Sequence, residues 1–393
     1  MPMAQVILKP GREKSARNRH PWIFSGAIGQ EPLDLQPGDL VDVTDADGHF
    51  LGRGAYNPRS QIRVRIFTFI DEELDLAWFA NRLAAAEAWR RRLLPAQTTA
   101  FRVCNGEGDG IPGLILDRYG DGLVATFSTA GADALREVIL GAMLETLQPA
   151  WIMERSSGGF RHEEGLADRV GALHGEVPDD PAPILENGLK FLVDVRAGQK
   201  TGFFLDQRDN REGVRRVAEG RTVLNAFGYT GGFAVYALAG GARRAVTVDA
   251  SREALNLAAR NHQANGQKIG PEDLVADDVF QFLREDQTEF DMIVLDPPAF
   301  AKSKAAINRA ARGYKDINLL AMRRLPPGGL LWTFSCSGHI SRELHQKIIF
   351  AAAIDAGRDV QILRVLGHGF DHPINVYHPE GEYLSGFFCH ISA

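Results

Sequence analysis

The sequence predicts an α/β protein: a doubly wound, mostly parallel sheet in the C-terminal part, preceded by a small β-barrel and an α+β block. Three observations carry this. From Ile184 onward, apolar strand-like runs alternate with helical stretches, the pattern of a sheet covered by helices on both faces. The first 70 or so residues instead hold short alternating runs separated by turn residues. Between these parts the hydrophobic period changes to that of a helix and then back. The expected boundaries are 1–72 for the barrel, 73–183 for the middle block and 184–393 for the large sheet.

In the barrel, Leu40–Val43 and Gln61–Phe67 alternate apolar with polar residues. Asp45-Ala-Asp-Gly48 is a turn signal, and Pro37-Gly38 and Asn57-Pro58 punctuate the rest. A small closed barrel satisfies this spacing of short strands. From Asp71 to about Leu94, Leu76, Phe79, Leu83 and Leu94 fall near one helical face. The Gly- and Asp-rich run Arg102–Arg118 marks a turn leading into a strand at Leu114–Leu116, with Leu123–Ser128 as its hairpin partner. A helix is expected over Ala132–Leu147 and a short strand at Trp151–Glu154; Gly175–Pro183 has the composition of a linker. The large sheet takes its strands from Thr222–Phe227, Arg244–Asp249, Leu274–Ala276, Phe290–Asp296, Gly328–Ser335, Val360–Leu366 and Tyr383–Ile391. Helices start near Phe233 and Ala254.

The 393 residues are 45% hydrophobic, enough for two or three cores, and 24% charged, too balanced for long disorder. No apolar run is long enough for a bilayer, and Met1–Arg12 lacks the pattern of a signal peptide. A soluble cytoplasmic protein without a membrane partner is expected. Cys104, Cys336 and Cys389 lie far apart, which excludes a disulfide framework and a zinc cluster; no metal is expected. The net charge of −6 argues against nucleic-acid binding as a total. Local charge argues the other way. Lys9, Arg12, Lys14, Arg17 and Arg19 crowd the N-terminus, and Lys302, Lys304, Arg309, Arg312 and Lys315 form a second basic run.

The loop Asn225-Ala-Phe-Gly-Tyr-Thr-Gly-Gly232 follows the first strand of the large sheet and suits close approach of a ligand to backbone amides. It is not Gly-x-Gly-x-x-Gly, which disfavours a dinucleotide, and no Gly-Lys-Ser/Thr element is present. Asp249, at the tip of the second strand, can accept from both ribose hydroxyls, and the acid pair Asp277-Asp278 can accept from an adenine amino group. Phe280 either packs near that ring or belongs to the core. Asp296-Pro297-Pro298 closes one strand and Ser335-Cys336-Ser337 closes the next. In a doubly wound sheet both ends open on the same crevice. A carboxylate and a thiol then share one site. The thiol can add to a pyrimidine ring, and the carboxylate can hold that ring by its polar edge. Cys104 and Cys389 read as structural.

The loop, Asp249, Asp278 and Asp-Pro-Pro resemble motifs I to IV of class I S-adenosylmethionine methyltransferases, a Rossmann-like seven-stranded fold. Gly198-Gln-Lys-Thr-Gly-Phe-Phe-Leu-Asp-Gln-Arg208 resembles a segment of a bacterial family that methylates cytosine carbon 5 in 23S ribosomal RNA. His20–Phe24 and Gly52–Asn57 resemble that family's N-terminal PUA domain, an RNA-binding barrel, and Gly108–Arg118 its central domain. The resemblance implies S-adenosyl-L-methionine as cofactor, held by Gln199, Thr201, Gly202, Phe203, Asn225, Phe227, Gly228, Tyr229, Thr230, Gly231, Asp249, Ser251, Asp278 and Asp296. It implies 23S rRNA as partner and a homodimer.

Cys336 is then the nucleophile that adds to carbon 6, and Asp296 grips ring nitrogen 3 and the amino group. Pro297, Pro298, Phe300, Lys302, Lys304, Arg309, Arg312, Tyr314 and Lys315 are expected along the RNA. Phe300 either stacks on a flipped base or packs in the core. Ala299 stands where some RNA methyltransferases carry a cysteine, which leaves Cys336 as the thiol at this edge. Competing readings are methylation of a base nitrogen (an exocyclic amine or guanine N7) without thiol chemistry, a non-catalytic RNA-binding assembly factor, and a small-molecule methyltransferase.

Overall fold

The computed structural model describes residues 3–301 and 303–392. The chain forms two compact units. The first contains Met1–Leu185, Val193–Leu205 and Phe370–Gly381; the second contains Glu186–Leu192, Asp206–Gly369 and Glu382–Ala393. No helix among the described residues is long and apolar enough to cross a membrane.

The first unit holds two sheets. A six-stranded sheet runs in the order Trp22–Phe24, Ile62–Thr68, Phe50–Tyr56, Leu40–Thr44, Ala4–Leu8, Ile28–Gln30. Its two edge strands are joined only by the turn Ser25–Ala27, so the sheet must curl until its edges nearly meet. Val6, Leu8, Val41, Val43, Val64 and Ile66 fill the interior. The second sheet orders Arg169–His174, Ile152–Ser156, Gly122–Phe127, Leu114–Tyr119, Ala100–Asn105. Gly122–Phe127 pairs with Ile152–Ser156 in parallel, which demands a crossover. Two helices supply it, Ala130–Ala134 and Arg136–Leu147, where a single helix was expected; Thr129 caps the first by accepting from the Ala132 N–H, and the chain breaks at Leu135. The strand Arg169–His174 was not legible as a strand, because its residues are mostly exposed and show no buried alternation. Helix Leu76–Leu93 starts at Asp75, whose side chain accepts from the Trp78 N–H, and it buries Phe79, Leu83 and Arg90. The fully buried Arg90 guanidinium donates to both carboxylate oxygens of Asp109 and to the Asp371 carbonyl, which ties the Phe370–Gly381 segment into this unit.

The second unit is built on seven strands: β1 (Thr222–Ala226), β2 (Arg244–Asp249), β3 (Leu274–Ala276), β4 (Met292–Leu295), β5 (Gly329–Ser335), β6 (Val360–Leu366) and β7 (Ser385–Ile391). Their order is β3-β2-β1-β4-β5-β7-β6. All run parallel except β7, which lies antiparallel between β5 and β6. Strand residues alternate between two cores. Leu224, Ile293, Leu295 and Leu331 pack on one face, and Val223, Met292, Val294 and Leu330 on the other. Both faces are therefore dry, which explains why these strands read as continuous apolar runs.

Helix Arg342–Ala356 covers one face and buries His345, whose Nδ1 lies 2.9 Å from the Ser385 hydroxyl. Burial lowers the pKa of this imidazole from 6.5 to about 4. The neutral ring contributes fully above pH 6.5. As pH falls from 6.5 toward 4, the unfolded chain takes up a proton that the folded one refuses, and about 3 kcal/mol of stability is lost. Urea unfolding midpoints at pH 7.5 and 4.5 should therefore diverge more for the native protein than for His345→Gln. Equal divergence would remove His345 as the cause.

Candidate active site

Strand order reverses between β1 and β4, so the segments leaving their C-terminal ends part and open a crevice in the second unit. The Asp296 N–H still reaches the Ala226 carbonyl at 3.4 Å, which places the acid at this opening. The loop after β1 takes an unusual path: Phe227 (φ 57°) and Tyr229 (φ 47°) are left-handed non-glycine residues, each costing about 1–3 kcal/mol. Gly228 must be glycine, since a Cβ there would sit 2.4 Å from Thr247 Cγ2 and 2.6 Å from Asn225 Nδ2. The Gly228 N–H donates to the Val248 carbonyl at 3.0 Å, which holds the loop against β2.

Asp249 also holds the strained loop in place. Its Oδ2 accepts the Tyr229 N–H at 2.8 Å, and its Oδ1 accepts the Ser251 N–H at 2.9 Å. The carboxylate is half-buried and fixed from both sides, and each oxygen keeps a lone pair. Ser251 also caps helix Arg252–Ala264 through Ala254. Asp278 is exposed and caps helix Val279–Glu285, with Oδ1 accepting the Gln281 N–H at 3.0 Å. Phe227 and Tyr229 are half-buried, while Asn225 and Thr230 are buried.

At the end of β4, Asp296 is half-buried, and its Oδ1 accepts from Gln207 Nε2 at 2.9 Å. The amide of Gln207 cannot turn over, because its Oε1 accepts from Asn210 Nδ2 at 2.6 Å. The other hydrogen of that Asn210 amide goes to the Gly367 carbonyl at 2.9 Å. Asp296 is thus aimed by a relay anchored on backbone. Sequence reasoning quoted the Gly198–Arg208 segment and overlooked Gln207 within it.

At the end of β5, the Cys336 sulfur lies 3.6 Å from the Pro297 carbonyl oxygen, beside the Asp-Pro-Pro turn. Cys336 is half-buried, whereas Cys104 and Cys389 are fully buried. Burial raises the Cys389 pKa to about 12 and pushes Cys104 up as well, so both stay protonated. A buried frame holds the neighbouring turns together. Ser337 Oγ accepts the Ala301 N–H at 3.3 Å and lies 3.0 Å from the Tyr314 hydroxyl. Tyr314, expected on the RNA path, is fully buried; desolvation raises its pKa, and its ring packs 4.6 Å from that of Phe300. Phe300 also meets Phe280 at 6.2 Å and Phe227 at 6.5 Å, so it packs in an aromatic cluster while staying half-exposed.

Pro297 is buried and Pro298 exposed. Arg309 and Arg312 stand exposed one turn apart on helix Ile307–Arg324, while Lys315 is paired with Asp355 at 2.6 Å. Lys302 lies outside the described residues; Lys304 opens the turn before that helix.

Gln199, Thr201, Gly202 and Phe203 belong to the first unit. Gln199 is exposed, and its carbonyl accepts the Gly202 N–H at 2.8 Å. Thr201 is buried and donates to Asp117 Oδ2 at 2.6 Å. Its proton is committed, so the Tyr119 hydroxyl must donate to Thr201 (2.9 Å) while accepting the Phe203 N–H (3.2 Å). Gly202 has φ 133°, and a Cβ there would fall 2.7 Å from Val193 Cγ1. Thr201 and Gly202 thus fix the backbone path of this segment.

Two family models match the chain. One, described as S-adenosylmethionine-dependent methyltransferase, covers residues 120–344; the other, described as PUA-like domain, covers residues 6–69. A protein of Aeromonas salmonicida named Ribosomal RNA large subunit methyltransferase I is 50% identical over 387 residues, 97% of this chain and 98% of the relative. A Klebsiella pneumoniae protein of the same name is 46% identical over 392 residues, 98% of each. A solved structure from Streptococcus mutans, provisionally assigned as an S-adenosylmethionine-dependent methyltransferase, has TM-score 0.84 at 23% identity, covering 99% of this chain and all of that one. Another solved methyltransferase, also provisionally assigned and complexed with SAH, has TM-score 0.85 at 24% identity with the same coverage. At these identities the two structures speak for the fold.

Proposed function

This chain belongs to the S-adenosylmethionine-dependent methyltransferase family, in the branch whose relatives are named for the large ribosomal subunit RNA, and we propose that it methylates carbon 5 of a cytosine in 23S rRNA through a covalent Cys336 adduct. The observation that carries the reading is Cys336: the one of the three thiols that is not fully buried, 3.6 Å from the carbonyl of the residue that follows Asp296.

The residues at the crevice support S-adenosylmethionine as its ligand. Asp249, pinned by two backbone donors, suits a ribose diol, and Asp278 on the neighbouring loop suits an adenine amino group. The strained Phe227–Gly231 backbone brings the loop over the same opening, and Ser251 acts through its hold on Asp249. Gln199, Thr201, Gly202 and Phe203 are assigned to the methionine end on resemblance alone. When bound, S-adenosylmethionine supplies an electrophilic methyl group.

The residues of the chain do the rest. Carbon 5 of cytosine is a weak nucleophile, so Cys336 must first add as thiolate to carbon 6 and turn carbon 5 into an enamine carbon. Asp296, aimed by Gln207, shares a proton with nitrogen 3 and accepts from the amino group, so that the negative charge pushed onto the ring by thiolate addition is neutralised there. Phe300 offers an aromatic face to a base drawn out of its stack, and Arg309 and Arg312 offer charge to phosphates. Tyr314 acts beneath them by holding Ser337.

The test is trapping. Carbon 5 of 5-fluorocytosine carries no removable proton, so an rRNA fragment containing it should stay joined to the native protein after methyl transfer and migrate as a shifted band on a denaturing gel. Absence of that band, with cofactor binding intact by calorimetry, would reject thiol addition.

A further inference from the structure

After methyl transfer a base must remove the carbon 5 proton before the thiol can leave. We propose that Tyr383, hydrogen-bonded to the buried carboxylate of Asp206, is this base; the assignment rests on the thiol reading and extends it.

The cofactor loop leaves β1, Asp296 ends β4, Cys336 follows β5, and β7 is the next neighbour of β5. Because β7 is antiparallel, its first residues lie at the same edge as the last residues of β5; Ser335 pairs with Ser385. Tyr383 precedes that pair by two residues and Cys336 follows it by one. Both pack on the same hydrophobic cluster with Phe334, Leu384 and Phe388.

A second observation brackets Cys336. Asp206 and Gln207 are consecutive. Gln207 reaches Asp296 at the end of β4, while Asp206 Oδ2 accepts from the Tyr383 hydroxyl at 2.8 Å beside β7. The two side chains of this dipeptide therefore reach residues at the ends of the strands on either side of β5, which stand about 10 Å apart at two strand spacings. One of its side chains aims the acid that grips the base, and the other holds the phenol. Asp206 is only 2% exposed, and its backbone carbonyl accepts the Gly369 N–H at 2.9 Å, so the carboxylate is held in place. The Tyr383 ring is half-buried and stacks on His368 at 5.0 Å.

Stereochemistry selects the same side. When sulfur and methyl add to opposite faces of the ring, the proton on carbon 5 is pushed toward the sulfur's face. Its acceptor must then stand on the Cys336 side, away from the β1 loop. In the sheet order Tyr383 lies on that side, just before the start of β7 and beyond β5 as counted from β1. In the step, the Tyr383 oxygen takes the carbon 5 proton as its own proton passes to Asp206. The C–H electron pair forms the carbon 5–carbon 6 double bond, the carbon 6–sulfur bond breaks, and Cys336 leaves as thiolate. The proton on Asp206 is later lost to water.

Blocking this step while sparing the earlier ones should strand the adduct on ordinary cytosine. Tyr383→Phe, which keeps the ring packing, is expected to lower turnover about 100-fold. With radiolabelled methyl donor and unmodified cytosine RNA it should give a denaturation-resistant protein–RNA band carrying the label, which the native protein does not accumulate. Asp206→Asn should do the same more weakly, with cofactor affinity by calorimetry as the check on folding. Native turnover in Tyr383→Phe, or lost turnover without a labelled adduct, would overturn the assignment. Retained turnover in Cys336→Ala would instead refute the underlying thiol chemistry, so the two failures are distinguishable.

Discussion

Cys336→Ala is expected to lower methyl transfer to rRNA at least ~1,000-fold while leaving S-adenosylmethionine affinity within a few-fold of native. A factor of 1,000 corresponds to about 4 kcal/mol of barrier. That is a reasonable demand on a nucleophile whose addition alone makes carbon 5 reactive. The substitution removes one half-buried sulfur from the end of β5, so its cost in stability should stay near the ~1 kcal/mol typical of point changes. Calorimetry with the cofactor then separates lost chemistry from lost folding. Attack from a base nitrogen needs no thiol and predicts near-native turnover for the same variant. The experiment therefore decides between the two readings of the Asp-Pro-Pro site.

Asp296→Asn should cost about 100- to 1,000-fold in kcat with a small change in KM for the cofactor. The substitution keeps the shape, and its Oδ1 can still accept from Gln207 Nε2, so position is preserved and charge is not. Gln207→Leu makes the complementary change: charge stays and aim is lost. A loss of about 10- to 30-fold is expected there, on the scale of a displaced catalytic group. If Gln207→Leu were as damaging as Asp296→Asn, orientation rather than charge would be the main contribution of Asp296.

Much of the second unit could be read in advance because its strands are buried on both faces and their ends carry punctuation. Asp249, Asp296 and Cys336 each follow an apolar run directly, and a doubly wound sheet gathers such ends. Gln207, Asn210, Asp206 and Tyr383 were overlooked for the opposite reason. Their roles arise from hydrogen bonds between residues 89 to 177 positions apart, or from a local amide relay whose meaning depends on such a contact. Tyr314 was expected along the RNA because it lies within the basic 302–315 run, whereas a hydroxyl satisfied by Ser337 lets it be buried. The attachment of Phe370–Gly381 to the first unit depends on Arg90 meeting a carbonyl 281 residues later, which no local pattern encodes.

Placing β7 inside the sheet has a consequence for biosynthesis. It is the latest strand of the second unit to leave the ribosome, and it supplies the ladder partners of both β5 and β6. Until it arrives, the nascent chain exposes two facing rows of unpaired amides and carbonyls flanked by apolar side chains, a template for intermolecular pairing. Cellular yield should therefore depend on chaperone supply during that interval, and changes that weaken Ser385–Ile391 should surface first as aggregation rather than as lost catalysis.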